Sequence, residues 1–271
     1  MIFQALRDFG RRKRLHRQVA DVVAGKARAV IVYQMGKVAS STTEATLQQA
    51  RGWHIFRTHG MARWMNVPEP GQARRDLESW LVYHRLLKPK LPAKIVTLVR
   101  DPISRNLSAY FQNIDSLWSM PAAHTQLSME QLVQGFFEKL KHQRPLEWFD
   151  VQFKPVLNLD VYAHRFDPTQ GFQRITQDNL DVLILKTTLD DAAKGQQLGD
   201  LTGVKDLPFV QKNVGTEKSY SSVYDEFVRT IRLPEAYVNE MLGHRFTRHF
   251  FSAGEIEKLR AKWLRDSSAV S

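Results

Sequence analysis

The chain has 271 residues, 43% of them hydrophobic, and carries a formal charge of +11 at neutral pH. It contains no cysteine, which excludes disulfides and thiolate metal sites and fits a reducing compartment. No apolar run reaches the roughly 18 residues that a membrane-spanning helix needs, and no signal-peptide core opens the chain, so a soluble, cytoplasmic protein is expected.

Eight basic side chains lie within residues 1–28 against only Asp8 and Asp21, so more than half of the net charge sits there. Ile2, Phe3, Leu6 and Phe9 fall near one face of a helix, with Arg11 to Arg14 just beyond. That pattern fits a basic amphipathic helix over residues 1–27, drawn through residues 1–17 to an anionic membrane face or to a partner. The alternative is a solvated helix whose apolar residues dock on the body of the protein. No repeat or linker divides residues 28–271, which are expected to form one α/β domain.

The run Ala29-Val30-Ile31-Val32 predicts a strand near 28–33, followed by a helix over 39–50. Trp53 to Arg57 predicts a second short strand ending at Thr58-His59-Gly60; residues 66–72 predict a loop and 73–87 a helix. Lys94 to Val99 is the clearest strand and runs into Arg100-Asp101-Pro102, where proline forces a break. A helix is expected from about Ser104, carrying Leu107, Tyr110 and Phe111. Residues 128–142 read as helical and 143–179 as mixed. Leu180 to Lys186 is another buried strand, after which Lys186-Thr187-Thr188 either borders a cleft or caps the next helix. Helices follow near 219–231, 235–243 and 252–265, the last opened by a capping box of Ser252 and Glu255. This alternation predicts a three-layer α/β/α arrangement around a mainly parallel sheet. The loops after residues 33, 58, 99 and 186 should then share one rim, where ligands of such folds bind.

Two of those loops carry chemistry. Gln34-Met35-Gly36-Lys37-Val38-Ala39-Ser40-Ser41-Thr42 links a strand to a helix, as a phosphate loop does. It has only one of the two glycines of a Walker loop, and Val38 stands where that motif has a metal-binding hydroxyl, so ATP or GTP with Mg²⁺ is poorly served. A smaller anion such as a 5′-phosphosulfate suits it better. In the other loop Arg100 ends a strand, and Ser108 lies one turn beyond Ser104 on the same helix face. An arginine and a serine so placed can hold a terminal phosphate; alternatively the arginine pairs with Asp101 or a helix end.

Together the two loops resemble the sulfotransferases: Gln34 to Thr42 their 5′-phosphosulfate loop, and Arg100-Asp101-Pro102 with Ser108 their 3′-phosphate motif. Lys212-Asn213, Glu217-Lys218-Ser219-Tyr220-Ser221, Tyr224 and Phe227 are similar to a bacterial branch described as capsular polysaccharide synthesis proteins, with Ser219 where that branch has tryptophan. The resemblance implies a P-loop-NTPase-like sulfotransferase fold. It also implies metal-free, in-line transfer of a sulfuryl group from 3′-phosphoadenosine-5′-phosphosulfate (PAPS) to a hydroxyl, here of a saccharide. By match, Lys37 would stabilise the leaving 5′-phosphate. Backbone N–H groups from Gly36 through Lys37, Val38, Ala39 and Ser40 to Ser41 would cradle the 5′ end, with the hydroxyls of Ser40, Ser41 and Thr42. Arg100 and Ser108 would grip the 3′-phosphate. Lys218 and Tyr220 would fold over the nucleotide, unless Tyr220, Val223, Tyr224 and Phe227 simply form the buried face of a helix.

The general base is expected to be His59. Histidine takes a proton near neutral pH, this one follows the second strand onto the rim of Lys37, and Thr58-His59-Gly60 resembles a loop of several carbohydrate sulfotransferases. His54 should lie at the opposite edge and His84 inside a helix; a satisfied loop histidine is the plain alternative for His59. Two other functions stay open: a non-catalytic basic binding protein on the same fold, and a P-loop nucleotide kinase. No nucleic-acid-binding motif accompanies the positive charge.

Overall fold

The computed structural model describes residues 2–70, 74–205, 207–210 and 219–264, without side-chain detail at 2–8, 74 and 75. The chain divides into two compact units. The first comprises Met1–Val99, Trp148–His164 and Phe172–Lys212; the second comprises Arg100–Glu147, Arg165–Gly171 and Asn213–Ser271.

A five-stranded sheet forms the centre of the first unit. Its strands are β1 (Arg28–Tyr33), β2 (Trp53–Thr58), β3 (Ala93–Val99), β4 (Phe172–Gln177) and β5 (Leu180–Lys186), in the order β2-β1-β3-β5-β4. All pairings are parallel except β4 with β5. Ala29 to Tyr33 are buried without interruption, as a parallel strand covered on both faces requires. Tyr33 pairs with Thr58 and Val99 with Lys186, so β1, β2, β3 and β5 end at one edge. From β1 the chain steps to β2 on one side, then returns to β3 on the other. The strand order therefore reverses between β1 and β3, which is a topological switch point.

Right-handed crossovers in opposite directions put their helices on opposite faces. On one face lie α1 (Ile2–Val23) and α3 (Arg74–Val82), held by His54 to Asp21 at 3.4 Å and by Thr58 to Ser79 at 2.6 Å. On the other lie α2 (Ser40–Leu47) and the helix Asp191–Thr202; the indole of Trp53 donates to the Thr202 carbonyl at 3.1 Å. Leu15, Val19 and Val22, spaced to share one helix face, anchor α1. The anchoring set thus sits in the second half of the helix, while Phe9 is 58% exposed beneath the Lys13 ammonium. The expected face of Ile2, Phe3 and Leu6 lies outside the described side chains.

β4 was not anticipated. It joins β5 through a two-residue turn in which Asp178 takes the left-handed conformation at φ 51°. The segment before it contains a π-helical turn, Phe149–Phe153, and a second such turn, Tyr83–Leu87, continues α3. Asp190, not Thr187 or Thr188, caps Asp191–Thr202 by accepting from Ala193 N at 2.8 Å.

The second unit is helical. α4 spans Pro102–Gln112, starting two residues earlier than expected because Asp101 caps it, accepting from Ser104 N at 2.8 Å. Phe111 meets Tyr224 and Phe227 of the helix Ser221–Thr230 at ring distances of 5.3 and 5.0 Å. Phe227 of that helix is buried and Tyr224 half-buried. Capping boxes at Ser128/Gln131 and Ser252/Glu255 open Met129–Lys139 and Ala253–Trp263; the short helix Arg245–Phe250 was not foreseen.

Gly195 gives a check on the packing of the first unit. A Cβ there would lie 2.5 Å from the Leu207 carbonyl oxygen. Alanine gains about 1 kcal/mol in helix propensity, but overpacking against backbone costs about 1–3 kcal/mol. Gly195→Ala is expected to lower the melting temperature in scanning calorimetry; a rise would mean that Leu207 yields freely.

Candidate functional site

The loop between β1 and α2 is shaped by where its residues are buried. Tyr33 ends β1 with its ring stacked on Phe153 and its hydroxyl donating to the Gln152 carbonyl at 2.6 Å. Burial pushes that phenol well above its ordinary pKa, so it stays a donor. Met35 and Val38 point into the core, at 2% and 0% exposure. To bury both within four residues, the backbone turns left-handed at Lys37 (φ 75°) and again at Ala39 (φ 64°), on either side of Val38. Gly36 takes no such conformation, and a Cβ on it would meet nothing within 4 Å. Side-chain-bearing residues in this conformation cost roughly 1–2 kcal/mol each. Alternation of φ sign swings successive N–H groups toward one side, the geometry of an anion nest.

α2 begins with Ala39 as its N-cap and has no side-chain cap. Its first N–H groups have no acceptor within the helix, and its dipole favours an anion there. Thr42 is buried and Ser40 and Ser41 are half-buried. Ser41 Oγ accepts a hydrogen bond from Arg57 at 2.8 Å, and Arg57 also pairs with Glu44 at 3.1 Å. Arg57 did not stand out in the sequence; the β1–β2 register, which pairs it with Val32, directs it toward α2.

His59 follows β2 at the same edge, with an exposed ring. Its Nδ1 lies 2.8 Å from the Gln34 carbonyl oxygen, which can only accept, so Nδ1 carries the proton and Nε2 the lone pair of the neutral ring. The loop itself is pinned by the Trp148 indole donating to the His59 carbonyl at 3.0 Å and by Ala62 N donating to Gln152 Oε1 at 3.3 Å. Trp148 and Gln152 were not singled out from sequence either. Gln34 is wholly buried, and neither atom of its side-chain amide has a hydrogen-bond partner among the described residues. His54 lies near the opposite edge on Asp21, and His84 in the π-helical turn after α3, as expected. Lys186 ends β5 at 2% exposure.

In the second unit Arg100 Nη1 donates to Ser108 Oγ at 3.4 Å, so the arginine and serine expected to act together are neighbours. Arg105, on the same helix, is buried; burial first, and then the charges of Arg144 and Arg100, lower its pKa to about 10, which leaves it cationic at neutral pH. It donates to Asn106 Oδ1 at 3.0 Å. From there the bonds run in one direction: Asn106 Nδ2 donates to the Tyr237 hydroxyl at 3.3 Å, Tyr237 lies 3.0 Å from His142 Nδ1, and His142 Nε2 lies 2.8 Å from the Phe136 carbonyl. Because that carbonyl can only accept, the neutral His142 ring donates from Nε2 and accepts a hydrogen bond from the Tyr237 hydroxyl at Nδ1. Lys218 lies outside the described residues.

A family model described as "Putative capsular polysaccharide synthesis protein" matches residues 126–252, which contains neither the β1–α2 loop nor Arg100 and Ser108. No curated protein and no solved structure matches the chain. Among the described residues, no helix is long and apolar enough to cross a membrane.

Two measurements probe this geometry. Gln34→Met removes two unpaired buried polar atoms at similar volume and is expected to raise stability by about 1–3 kcal/mol; an unchanged midpoint in chemical denaturation would mean that the amide has a partner. His142 is held below the ordinary imidazole pKa of 6.5, chiefly by burial. Its neutral form is favoured by folding, so its contribution to stability is complete above about pH 6.5 and falls away as the pH drops toward the lowered folded value. Melting temperature should therefore decline more steeply below pH 6.5 for wild type than for His142→Gln; parallel curves would remove His142 as the cause.

Proposed function

We propose that this chain is a PAPS-dependent sulfotransferase with a P-loop-like sulfotransferase fold, acting on a hydroxyl of a saccharide. One observation carries the reading: the two motifs leave the carboxyl ends of β1 and β3, the strands that flank the switch point of the sheet. In such folds that point is where a nucleotide lies. The family model over residues 126–252 supports a saccharide acceptor.

PAPS supplies an activated sulfuryl group; everything else is asked of side chains and backbone. The left-handed residues Lys37 and Ala39, with the first turn of α2, suit the 5′-phosphosulfate. The Lys37 ammonium offsets negative charge that develops on the departing phosphate. Arg100 and Ser108 suit the 3′-phosphate, the group that separates this donor from ATP. His59 takes the acceptor proton at Nε2, the nitrogen its bond to Gln34 leaves as an acceptor.

Calorimetric titration without Mg²⁺ tests the reading, using 3′-phosphoadenosine-5′-phosphate beside ATP and 5′-AMP. Wild type is expected to bind the bisphosphate and neither of the others tightly. Arg100→Ala should weaken it about 10- to 100-fold, the loss of hydrogen bonds to a charged group. Binding of ATP that requires Mg²⁺, or no binding at all, would overturn the assignment.

A further inference from the structure

Arg57 lies outside the residues assigned above, yet its guanidinium reaches the first turn of α2. We infer that Arg57 is a positioning residue for a phosphate or sulfate ester at that turn: it makes Ser41 a dedicated hydrogen-bond donor and neutralises Glu44. The inference rests on the 5′-site reading given above.

The hydroxyls of α2 are not equivalent. Thr43 and Thr46 donate to the carbonyls four residues back, Ala39 and Thr42, at 3.1 and 3.0 Å. Ser41 does not; it receives a bond from Arg57 at 2.8 Å. A guanidinium has five N–H groups and no acceptor, so Ser41 Oγ is the acceptor and its own proton is directed elsewhere. A serine used to stabilise its helix would donate backward, as those threonines do. Here the proton is kept off the helix, in the turn where an anion would need it.

Glu44 poses the opposite problem. It stands three residues after Ser41, which places it on the same face of α2. An unpaired carboxylate there would repel the anion that the helix dipole attracts. Arg57 holds it at 3.1 Å, and among the described residues the remaining Glu44 oxygen receives only Gln48, at 3.5 Å. Arg57 is itself held: its backbone N–H donates to Glu78 Oε1 at 3.0 Å, and its side chain is 26% exposed. Gln34, the first residue of the same loop, also has a buried amide without a partner among the described residues.

The test compares calorimetric affinities for 3′-phosphoadenosine-5′-phosphate and 3′-AMP, which differ only in the 5′-phosphate. Arg57→Ala is expected to weaken the bisphosphate at least tenfold and leave 3′-AMP unchanged, with Arg57→Lys recovering part. Ser41→Ala should add nothing further in the Arg57→Ala background, because the hydroxyl is then no longer directed. Glu44→Gln, which keeps Arg57 in place, should tighten the bisphosphate severalfold. Equal loss for both nucleotides, or tightening absent in Glu44→Gln, would overturn the inference. If wild type binds neither nucleotide, the donor assignment fails alone. Inorganic phosphate then decides: it must bind wild type more tightly than Arg57→Ala, and no difference refutes the role of Arg57.

Discussion

The reversal of strand order between β1 and β3 is the constraint on which the first unit depends. A right-handed crossover to β2 lays α2 on one face, and the return crossover lays α3 on the other. Neither helix covers the place where the two connections part. In such folds the crevice beyond the carboxyl ends of β1 and β3 is where ligands bind. His54 against Asp21 and Trp53 against Thr202, neighbours in β2 yet bound to opposite layers, record the arrangement at single-residue resolution.

Within that frame the β1–α2 loop trades stability for shape. Burying Met35 and Val38 draws the backbone into two left-handed residues that are not glycine. Such strain persists only where the surroundings over-determine it. Here the surroundings are the bonds from Tyr33 to Gln152, from Trp148 to His59 and from His59 to Gln34. Glycine at Lys37 would relax the loop and remove its cation together. Strain and the positive charge of the loop coincide in one residue.

How much was legible in the sequence follows from what each feature depends on. β1, β3 and β5 were legible because burial on both faces leaves nearly unbroken apolar runs, whereas β2, a half-buried edge strand, was legible from its short aromatic and β-branched core. β4 was not, since an edge strand reading Phe-Gln-Arg-Ile-Thr-Gln needs only Ile175 buried. The positions of Lys37, His59 and Arg100 just beyond strand ends could be read from local order, because a strand followed by a polar turn fixes which edge the turn occupies. Arg57 could not, because its meaning lies in the pairing with Val32 and in α2 sixteen residues before it. Trp148 and Gln152 reach the His59 loop from about ninety residues along the chain, a relation no local pattern encodes. Which residues of the loop carry the strain could not be read, because the turn is set by what has to be buried around it, and the strain falls on Lys37 and Ala39.

The antiparallel hairpin of β4 and β5 also bears on how this sheet is assembled. In register, Ala93 meets Leu180 and Val99 meets Lys186, so β3 must find a partner 87 residues away. Closing a loop of that length costs entropy before any pairing repays it. The two-residue turn at Asp178 lets β5 pair with β4 first, through contacts that are nearly local. β5 can thus meet β3 as half of a formed ribbon, with its apolar residues already committed to their faces. A slip by one residue would turn every one of them the wrong way. The least conspicuous strand in the sequence is thereby the near-local partner of the strand whose other pairing, to β3, spans the longest stretch of chain in the sheet.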